Sequence, residues 1–276
     1  MEDNYHETGQ EADMEHHRLT ERQDRILRHI QDAGFATIDS MAESFGVSAQ
    51  TVRRDLIALE RSDYLIRFHG GAGPGRNMVR LGHAEKSTAA QDGKTRIAQA
   101  VAKMIPEGAA VYLDVGSTVE AVARALTQHR HLRIVTPGAA VAMIFATARQ
   151  IDVFLTGGSL RGANGALVGE HAKETLRRFR FDHMVTSFGG FSPEGEPMDF
   201  DPEKAILRRI ALENSLQRIG VVDASKFHRH ALAKMHDGVG FTDLVTDAPP
   251  PEQVVAAMAR SQTRITVVEA PQIESR

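Results

Sequence analysis

A glycine turn followed by an amphipathic helix is the feature that most restricts how the start of this chain can fold. Gly46 stands where a tight turn favours a residue that adopts positive φ. Ser48 is placed to cap the next helix through its hydroxyl group. Val52, Leu56 and Leu59 then recur at helical spacing, so they predict one buried face.

The other face of this helix carries side chains that suit a DNA groove. Gln50, Thr51, Arg53 and Arg54 lie away from the buried face at this spacing. Arginine and glutamine can pair with base edges in two places, and threonine can bond a base or a phosphate. Adjacent arginines on a helix are, taken alone, more often a solvated surface, so the flanking segments decide between the two interpretations.

The flanking segments favour the DNA-binding interpretation. Apolar residues at helical spacing predict one helix over residues 19–33 and another over residues 38–45. The order of helix, short helix, glycine turn and longer helix is typical of a helix-turn-helix domain. Asp55, beside the arginine pair, is expected to face inward or to bind an arginine.

A short alternating segment follows the third helix and predicts a wing. Residues 64–69 alternate as a strand does, and a two-stranded wing would place Arg67 and His69 near the phosphate backbone. For His69, a histidine that only belongs to the turn is an equal alternative. Residues 70–77 are rich in Gly and Pro, so we expect no regular element there and place a domain boundary in this stretch.

The composition is that of a globular protein, and it excludes several kinds of site. The net charge is −3, so any DNA contact must come from a local basic patch. The absence of cysteine excludes disulfides, cysteine zinc sites and a thiol nucleophile. No apolar run has the length of a membrane helix, and the polar start does not resemble a signal peptide. We therefore expect a cytoplasmic protein with no membrane partner.

Strand and helix patterns alternate through most of the second half of the chain. Predicted strands cover residues 109–115, 133–136, 152–156, 182–188, 218–222, 244–246 and 265–268. Predicted helices cover residues 94–104, 118–126, 139–148, 169–178, 202–216 and 251–260. This alternation indicates an α/β domain with a mostly parallel sheet.

Ligands of such sheets bind beyond the carboxyl ends of the strands, where this chain places glycines and hydroxyl groups. The first strand leads into Asp114, and Gly116, Ser117 and Thr118 follow at the start of a helix. Close backbone approach, N–H and hydroxyl donors and the positive end of the helix all suit a phosphate. Ser and Thr at such positions often serve only as helix caps, which is the alternative interpretation.

Later strand ends repeat this chemistry. Thr136 precedes Pro137, and Gly157 and Gly158 lead into a predicted loop. Lys226 follows another strand and adds a positive charge. Because the carboxyl ends of parallel strands converge on one edge, we predict a pocket for a sugar phosphate or a polyol there.

Both halves of the chain resemble one family, the DeoR family of bacterial transcriptional regulators. The resemblance of the first half to its winged helix rests on Val47–Ser48, Thr51–Leu56, Leu59–Glu60 and Arg67–Ala72. The resemblance of the second half to its effector domain rests on Leu113–Thr118, Val135–Thr136, Gly157–Gly158 and Asp223–Phe227. It implies a winged helix-turn-helix followed by an α/β effector domain similar in fold to ribose-5-phosphate isomerase.

The resemblance also implies a function. The third helix would read double-stranded operator DNA, and a phosphorylated sugar or polyol would release a homodimeric or homotetrameric repressor from a carbohydrate operon. The DNA-binding residues are then predicted to be Ser48, Gln50, Thr51, Arg53, Arg54, Arg67 and His69. The effector-binding residues are predicted to be Asp114, Gly116, Ser117, Thr118, Thr136, Gly157, Gly158 and Lys226. We expect no metal site and no cofactor.

Four segments follow from these patterns. Residues 1–17 are polar without an apolar period and are expected to form a disordered tail. The winged helix-turn-helix domain is placed at 18–73, a linker at 74–85, and the effector-binding and oligomerisation domain at 86–276.

Two positions depart from the pattern of the family. Pro137 stands where the family usually has Asn, and proline lacks both the side-chain amide and the backbone N–H. Residues 198–201 form an acidic and apolar stretch in which we expect ligand specificity to lie.

Two other functions stay open. An isomerase-like enzyme with an appended DNA-binding head would use Asp114 as a general base and Lys226 as an electrostatic partner. No motif places a second carboxylate or a histidine beside Asp114, so the regulator is favoured. A domain that only dimerises would not need so many glycine-rich strand ends.

Overall fold

The computed structural model describes residues 19–33, 36–68, 70–75, 91–161, 164–229, 231, 233–235 and 240–268. The predicted tail at residues 1–17, His69 and residues 76–85 of the predicted linker lie outside these ranges. The N-terminal domain and the larger domain after it each have their own apolar core. None of the described helices combines the length and the apolar character needed to cross a bilayer.

The N-terminal domain has the predicted order of helices. Its elements are α1 (Glu21–Ala33), β1 (Ala36–Thr37), α2 (Ile38–Phe45), α3 (Ala49–Arg61), β2 (Leu65–Phe68) and β3 (Gly71–Pro74). The strands form an antiparallel sheet in the order β1-β3-β2. Ile26, Ile30, Met41, Val52 and Leu56 are fully buried in its core. The predicted helix-turn-helix with a wing is confirmed.

The turn between α2 and α3 is held by local chemistry. Gly46 has a φ of 64°, which is the left-handed conformation that favours glycine, and its N–H closes the last turn of α2. The Ser48 hydroxyl accepts a hydrogen bond from the Thr51 N–H at 3.2 Å and so begins α3. The predictions for both residues are confirmed.

The prediction of no regular structure over residues 70–77 is wrong, because Gly71–Pro74 forms the central strand of the wing sheet. Small residues are needed there for close packing. Ala72 has no exposed area, and a Cβ added to Gly75 would lie 2.5 Å from the backbone N of Leu65. Gly75 therefore reflects close backbone contact, and the predicted linker can begin only after the strand that ends at Pro74.

The second domain is an α/β domain with a parallel sheet, as predicted. Its helices are α4 (Gln91–Met104), α5 (Ser117–Leu126), α6 (Ala139–Ile144), α7 (Glu170–Arg177), α8 (Pro202–Glu213) and α9 (Glu252–Arg260). The sheet strands are β4 (Ala110–Leu113), β5 (Arg133–Thr136), β6 (Asp152–Leu155), β9 (Phe181–Thr186), β12 (Ser215–Val222), β14 (Asp243–Thr246) and β15 (Arg264–Val267). All neighbours in this sheet are parallel.

Several short elements were not predicted. A hairpin, β7 (Ser159–Arg161) and β8 (Ala166–Val168), replaces the loop expected after β6. A small antiparallel sheet combines β10 (Gly190–Phe191), β11 (Pro197–Asp199) and β13 (Ala233–Lys234). Strands of two or three residues are too short to show a period in the sequence.

Two predicted helices also extend too far. The helix expected over residues 139–148 ends at Ile144, and the one expected over residues 202–216 ends at Glu213. Leu216 instead belongs to β12, where its side chain is 73% exposed. The prediction extended this helix to Leu216 because that residue is apolar, but Leu216 is exposed and does not belong to the buried face of the helix.

The strand order reverses at one place, and this place locates the expected ligand crevice. The sheet order is β15-β14-β12-β9-β4-β5-β6, so the chain passes from β4 towards β6 and then returns to the other side of β4 at β9. In open parallel sheets, ligands bind at the carboxyl ends of the strands beside such a reversal. The residues after β4 and β9 therefore lie where a ligand is expected.

Neighbouring residues of α3 allow a direct test of its buried face. Leu56 is fully buried and Ile57 is 37% exposed, so Leu56→Ala should lower the free energy of unfolding by about 2–5 kcal/mol and Ile57→Ala by much less. Urea denaturation of the two variants measures this difference. Equal losses would contradict the packing of α3.

Candidate functional sites

One face of α3 is exposed and carries unpaired arginines. Gln50, Arg53, Arg54, Ile57 and Arg61 are all exposed and follow one another at helical spacing. Within the described residues, neither Arg53 nor Arg54 forms an ion pair, whereas several other arginines of this domain do. Two exposed guanidinium groups without an ion pair in the described part of the chain could bind DNA without first breaking such a pair. Their role in reading bases stays a prediction.

Ser48 and Thr51 act together at the start of this helix. Their hydroxyl oxygens lie 2.9 Å apart, and the Thr51 N–H is bonded to the Ser48 hydroxyl. Thr51 is half-buried. Both hydroxyls therefore hold the helix end, and a phosphate contact by either one stays a prediction.

Asp55 faces inward and also binds an arginine, as expected, but the arginine comes from α1. Arg22 Nε donates to Asp55 Oδ2 at 2.5 Å, and Nη2 donates to Oδ1 at 3.2 Å. This two-point contact fixes α1 against α3. Arg22 was missed because no local pattern marks a contact over 33 residues.

Arg67 is tied to the third helix instead of standing free on the wing. Its Nε donates to Glu60 Oε2 at 2.7 Å, and its backbone N–H donates to Oε1 at 3.3 Å. The hydrogen bond from Arg67 lowers the pKa of Glu60. The wing is thereby held at the end of α3, and the contact of Arg67 with the DNA backbone stays a prediction. His69 lies outside the described residues.

The loop after β4 has the geometry expected of an anion site. Gly116 has a φ of 122°, and no side chain caps the first turn of α5. Gly116 and Ser117 are partly exposed, whereas Thr118 is buried. Because the N-cap residue is a glycine, no N-cap side chain bonds the first N–H groups of α5, which are the groups that suit an anion at the positive end of a helix.

Asp114 points into the protein and has three hydrogen-bond donors. Its carboxylate accepts from the Thr186 hydroxyl at 2.5 Å, from the Tyr112 hydroxyl at 3.3 Å and from Arg208 Nε. Only 2% of Asp114 is exposed. The predicted direct contact of Asp114 with a ligand would have to displace these donors, so the geometry favours a positioning role.

Arg208 is the central residue that sequence reasoning missed. Its Nη1 lies 2.5 Å from Asp199 Oδ2 while its Nε binds Asp114, and its side chain is 4% exposed. Burial would lower the pKa of Arg208, but the two carboxylates hold it above the usual value. Its burial beside Ala205, Ala211 and Leu212 follows helical spacing, a signal that could have separated it from Arg209.

Three lysines with lowered pKa values lie at the same edge. Burial lowers the pKa of Lys226 to about 8, although Asp223 opposes the shift. Burial also lowers the pKa of Lys94 and of Lys204. Because folding lowers the pKa of Lys226, the charged side chain lowers the free energy of unfolding at neutral pH. This loss disappears as the pH rises above about 8 and the folded protein releases the proton. A bound anion would stabilise the charged form of all three.

Three of the predicted effector residues are used inside the protein. Thr136 has no exposed area, and its hydroxyl accepts from the Gly138 N–H at 2.9 Å. A Cβ on Gly158 would lie 2.4 Å from the Val168 carbonyl, so this glycine allows the hairpin to pack. Gly157, with a φ of 75°, shapes the same turn. The Thr136 side chain is therefore enclosed and bonded to its own turn, and its contact with a ligand stays a prediction.

Pro137 fits this covered arrangement. Its carbonyl accepts from the Leu167 N–H at 2.7 Å, and the Ala139 N–H donates to the Gly165 carbonyl at 3.0 Å. The hairpin thus lies over the end of β5. The backbone N–H that proline lacks is not used to hold the hairpin, because the Pro137 carbonyl and the Ala139 N–H make those hydrogen bonds.

A cavity of about 320 Å³ lies at the opposite edge of the sheet. Its walls come from the amino ends of β9, β12 and β15, together with Met104. Ligands of open parallel sheets bind at the carboxyl edge, and the cationic groups are also there. The carboxyl edge is therefore the stronger candidate for the effector site.

Loss of the buried guanidinium should be costly. Arg208→Met leaves Asp114 and Asp199 buried without their shared cation, so the free energy of unfolding at pH 7 should fall by about 3–5 kcal/mol. The control is Arg178→Met, an exposed arginine paired with Glu174, which should cost less than about 1 kcal/mol. Urea denaturation compares them, and equal stability of the two variants would contradict the role of Arg208.

Known proteins match both domains. Residues 22–74 match the DeoR-like helix-turn-helix domain, and residues 89–248 match the DeoR C terminal sensor domain. The glycerol-3-phosphate regulon repressor of Escherichia coli (strain K12) is 36% identical over 241 residues, which cover 87% of this chain and 95% of that protein. The HTH-type transcriptional repressor CsqR of the same strain is 35% identical over 244 residues, covering 88% and 94%.

A further relative and one solved structure complete the comparison. The lactose phosphotransferase system repressor of Staphylococcus epidermidis is 32% identical over 210 residues, covering 75% of this chain and 83% of that protein. Ribose 5-phosphate isomerase from Methanocaldococcus jannaschii aligns with a TM-score of 0.37 and 14% identity over 50% of this chain and 55% of that chain, which is too weak to bear on the site. The domain matches and the near full-length identities place this chain in the DeoR family of transcriptional regulators.

Proposed function

We propose that this protein is a transcriptional repressor whose sensor domain releases operator DNA when it binds a phosphorylated sugar or polyol. The observation that carries this proposal is the group of Lys94, Lys204 and Lys226 at the carboxyl edge that also holds the glycine start of α5; Lys94 and Lys226 are buried there, and all three have lowered pKa values. Groups with perturbed pKa values gather at functional sites. The names of relatives as repressors of glycerol-3-phosphate and lactose phosphotransferase systems support the same ligand class.

The exposed face of α3 would enter the major groove. Arg53, Arg54 and Gln50 carry the groups that pair with base edges, while Arg67 at the wing can contact a phosphate. Two protomers reading repeated half-sites would form at least a homodimer. A repressor of this kind acts in the cytoplasm, at the nucleoid.

The effector phosphate would lie at the loop after β4. The N–H groups of Gly116, Ser117 and Thr118 supply hydrogen bonds, and Lys226 supplies positive charge. Asp114 acts indirectly by holding Arg208. The ligand then favours a protein conformation with lower DNA affinity, by an amount set by its differential affinity for the two conformations.

The geometry favours a regulator over an isomerase-like enzyme. A general base needs a carboxylate that can reach a substrate proton, whereas Asp114 is buried and already accepts from three donors. Incubation with sugar phosphates tests the alternative, because an isomerised product would show turnover.

Arginine variants of α3 test the DNA interface. Arg53→Ala and Arg54→Ala should each weaken operator binding by about 1–3 kcal/mol if the arginine pairs with a guanine. The control is Arg28→Ala, because Arg28 is an exposed arginine on α1 that pairs with Asp24. Fluorescence anisotropy with a labelled operator duplex measures the change. Unchanged binding by both α3 variants would show that this helix does not read DNA.

The pH dependence of anion binding tests the sensor site. Sulfate is a suitable probe because it does not titrate near neutral pH, and calorimetry measures its affinity. Wild-type affinity should fall about tenfold between pH 7 and pH 9, since Lys226 has a pKa of about 8 and loses its proton. Lys226→Met should bind sulfate more weakly at pH 7 and lack most of this dependence.

Lys103→Met is the matched control, because Lys103 is an exposed lysine on α4. It should keep the wild-type affinity and pH dependence. If Lys226→Met and Lys103→Met behaved alike, the anion would bind elsewhere.

A further inference from the structure

Asp199 places a negative charge beside Arg208 and near Lys226, the cation proposed above for the effector phosphate. It is the last residue of β11 and is 8% exposed. Its Oδ2 lies 2.5 Å from Arg208 Nη1, and its Oδ1 accepts from the Asp201 N–H at 2.9 Å. The carboxylate is therefore held in a defined position at the carboxyl edge.

Two more cations act on the same carboxylate. Lys204 follows on α8, the helix that also carries Arg208, and its Nζ donates to Asn164 Oδ1 at 3.2 Å. Burial lowers the pKa of Lys204, and the negative charge of Asp199 is the main effect that raises it again. For Lys226 the main opposing charge is Asp223, and Asp199 adds a smaller effect. Arg208 thus contacts the Asp199 carboxylate, and the two lysines are close enough for its charge to act on them.

We propose that Asp199 is an internal occupant of the anion subsite and that the phosphate group of the effector displaces it. The proposal rests on the function proposed above and adds how the site selects its ligand. A phosphate group carries nearly two negative charges at neutral pH and three acceptor oxygens, whereas a carboxylate carries one charge and two oxygens. Arginine and lysine bind both groups, so the phosphate can take over the cations that Asp199 now holds. A ligand with only a carboxylate would gain little from the exchange.

Displacement of Asp199 would also change the small antiparallel sheet of β10, β11 and β13, because Asp199 is part of β11. Asp199 pairs with Ala233 of β13, and the next residue, Phe200, lies under the Arg229 guanidinium at 5.5 Å. Asp201 caps α8 through the Glu203 N–H at 3.0 Å. Release of Asp199 therefore frees the joint between β11 and α8, which gives ligand binding a structural consequence.

The test compares the binding of inorganic phosphate to full-length wild type and to Asp199→Asn by calorimetry. The amide keeps the shape of the side chain and removes the competing charge, so phosphate should bind at least about tenfold more tightly. Asp152→Asn is the matched control, because it removes the same charge at an exposed position of β6. Its phosphate affinity should stay within about twofold of wild type.

The outcomes separate this proposal from the function on which it rests. Unchanged or weaker phosphate binding by Asp199→Asn, with measurable binding by wild type, would overturn the displacement of Asp199 alone. The absence of phosphate binding in all three proteins would overturn the anion site as well.

A second measurement uses the wild-type protein and does not depend on the folding of a variant. The Asp201 amide should exchange its hydrogen faster when phosphate saturates the site, because its acceptor on Asp199 has left. Unchanged or slower exchange of this amide in the phosphate complex would contradict the displacement.

Discussion

The buried contact of Arg208 with two carboxylates is the interaction on which the sensor domain depends. A buried guanidinium is costly unless it is paired, and here Asp114 and Asp199 hold it from both sides. These three residues come from the end of β4, from α8 and from β11, so their pairing requires all three elements to meet. Arg208 thereby fixes the end of β4, where the strand order reverses and from which the chain continues into α5.

The DNA-binding domain uses a similar device for a different purpose. Asp55 binds Arg22 in two places and fixes α3 against α1, which leaves Arg53 and Arg54 unpaired within the described residues. A chain with a net charge of −3 can in this way still present positive charge to DNA. In both domains a carboxylate orients the cationic element, and neighbouring groups remain open to a ligand.

The periodicity of the sequence predicts helices and strands that local spacing defines. It does not predict features that depend on contacts between residues far apart in the chain. The buried face of α3 and the strand Arg133–Thr136 are as predicted, because spacing alone defines them. Helical spacing could have placed Arg208 on the buried face of α8, but its partner Asp114 lies 94 residues away and no local pattern identifies that contact. The strand Gly71–Pro74 was missed because its glycines indicate a linker unless neighbouring strands are known. The hydroxyl of Thr136 predicts an effector contact, whereas in the structure it accepts a hydrogen bond from the Gly138 N–H and holds the turn after β5.

Operator affinity in the presence of one polyol, with and without its phosphate group, tests the central claim most directly. The DNA would be a duplex that the protein selects from a random-sequence pool, and anisotropy would report its dissociation constant. A phosphorylated polyol that binds the protein should weaken operator binding between about 5-fold and about 150-fold, and DNA should weaken polyol binding by the same factor. The unphosphorylated form should have no effect. A phosphorylated polyol that binds at the carboxyl edge but leaves operator affinity unchanged would contradict a sensor that controls DNA binding.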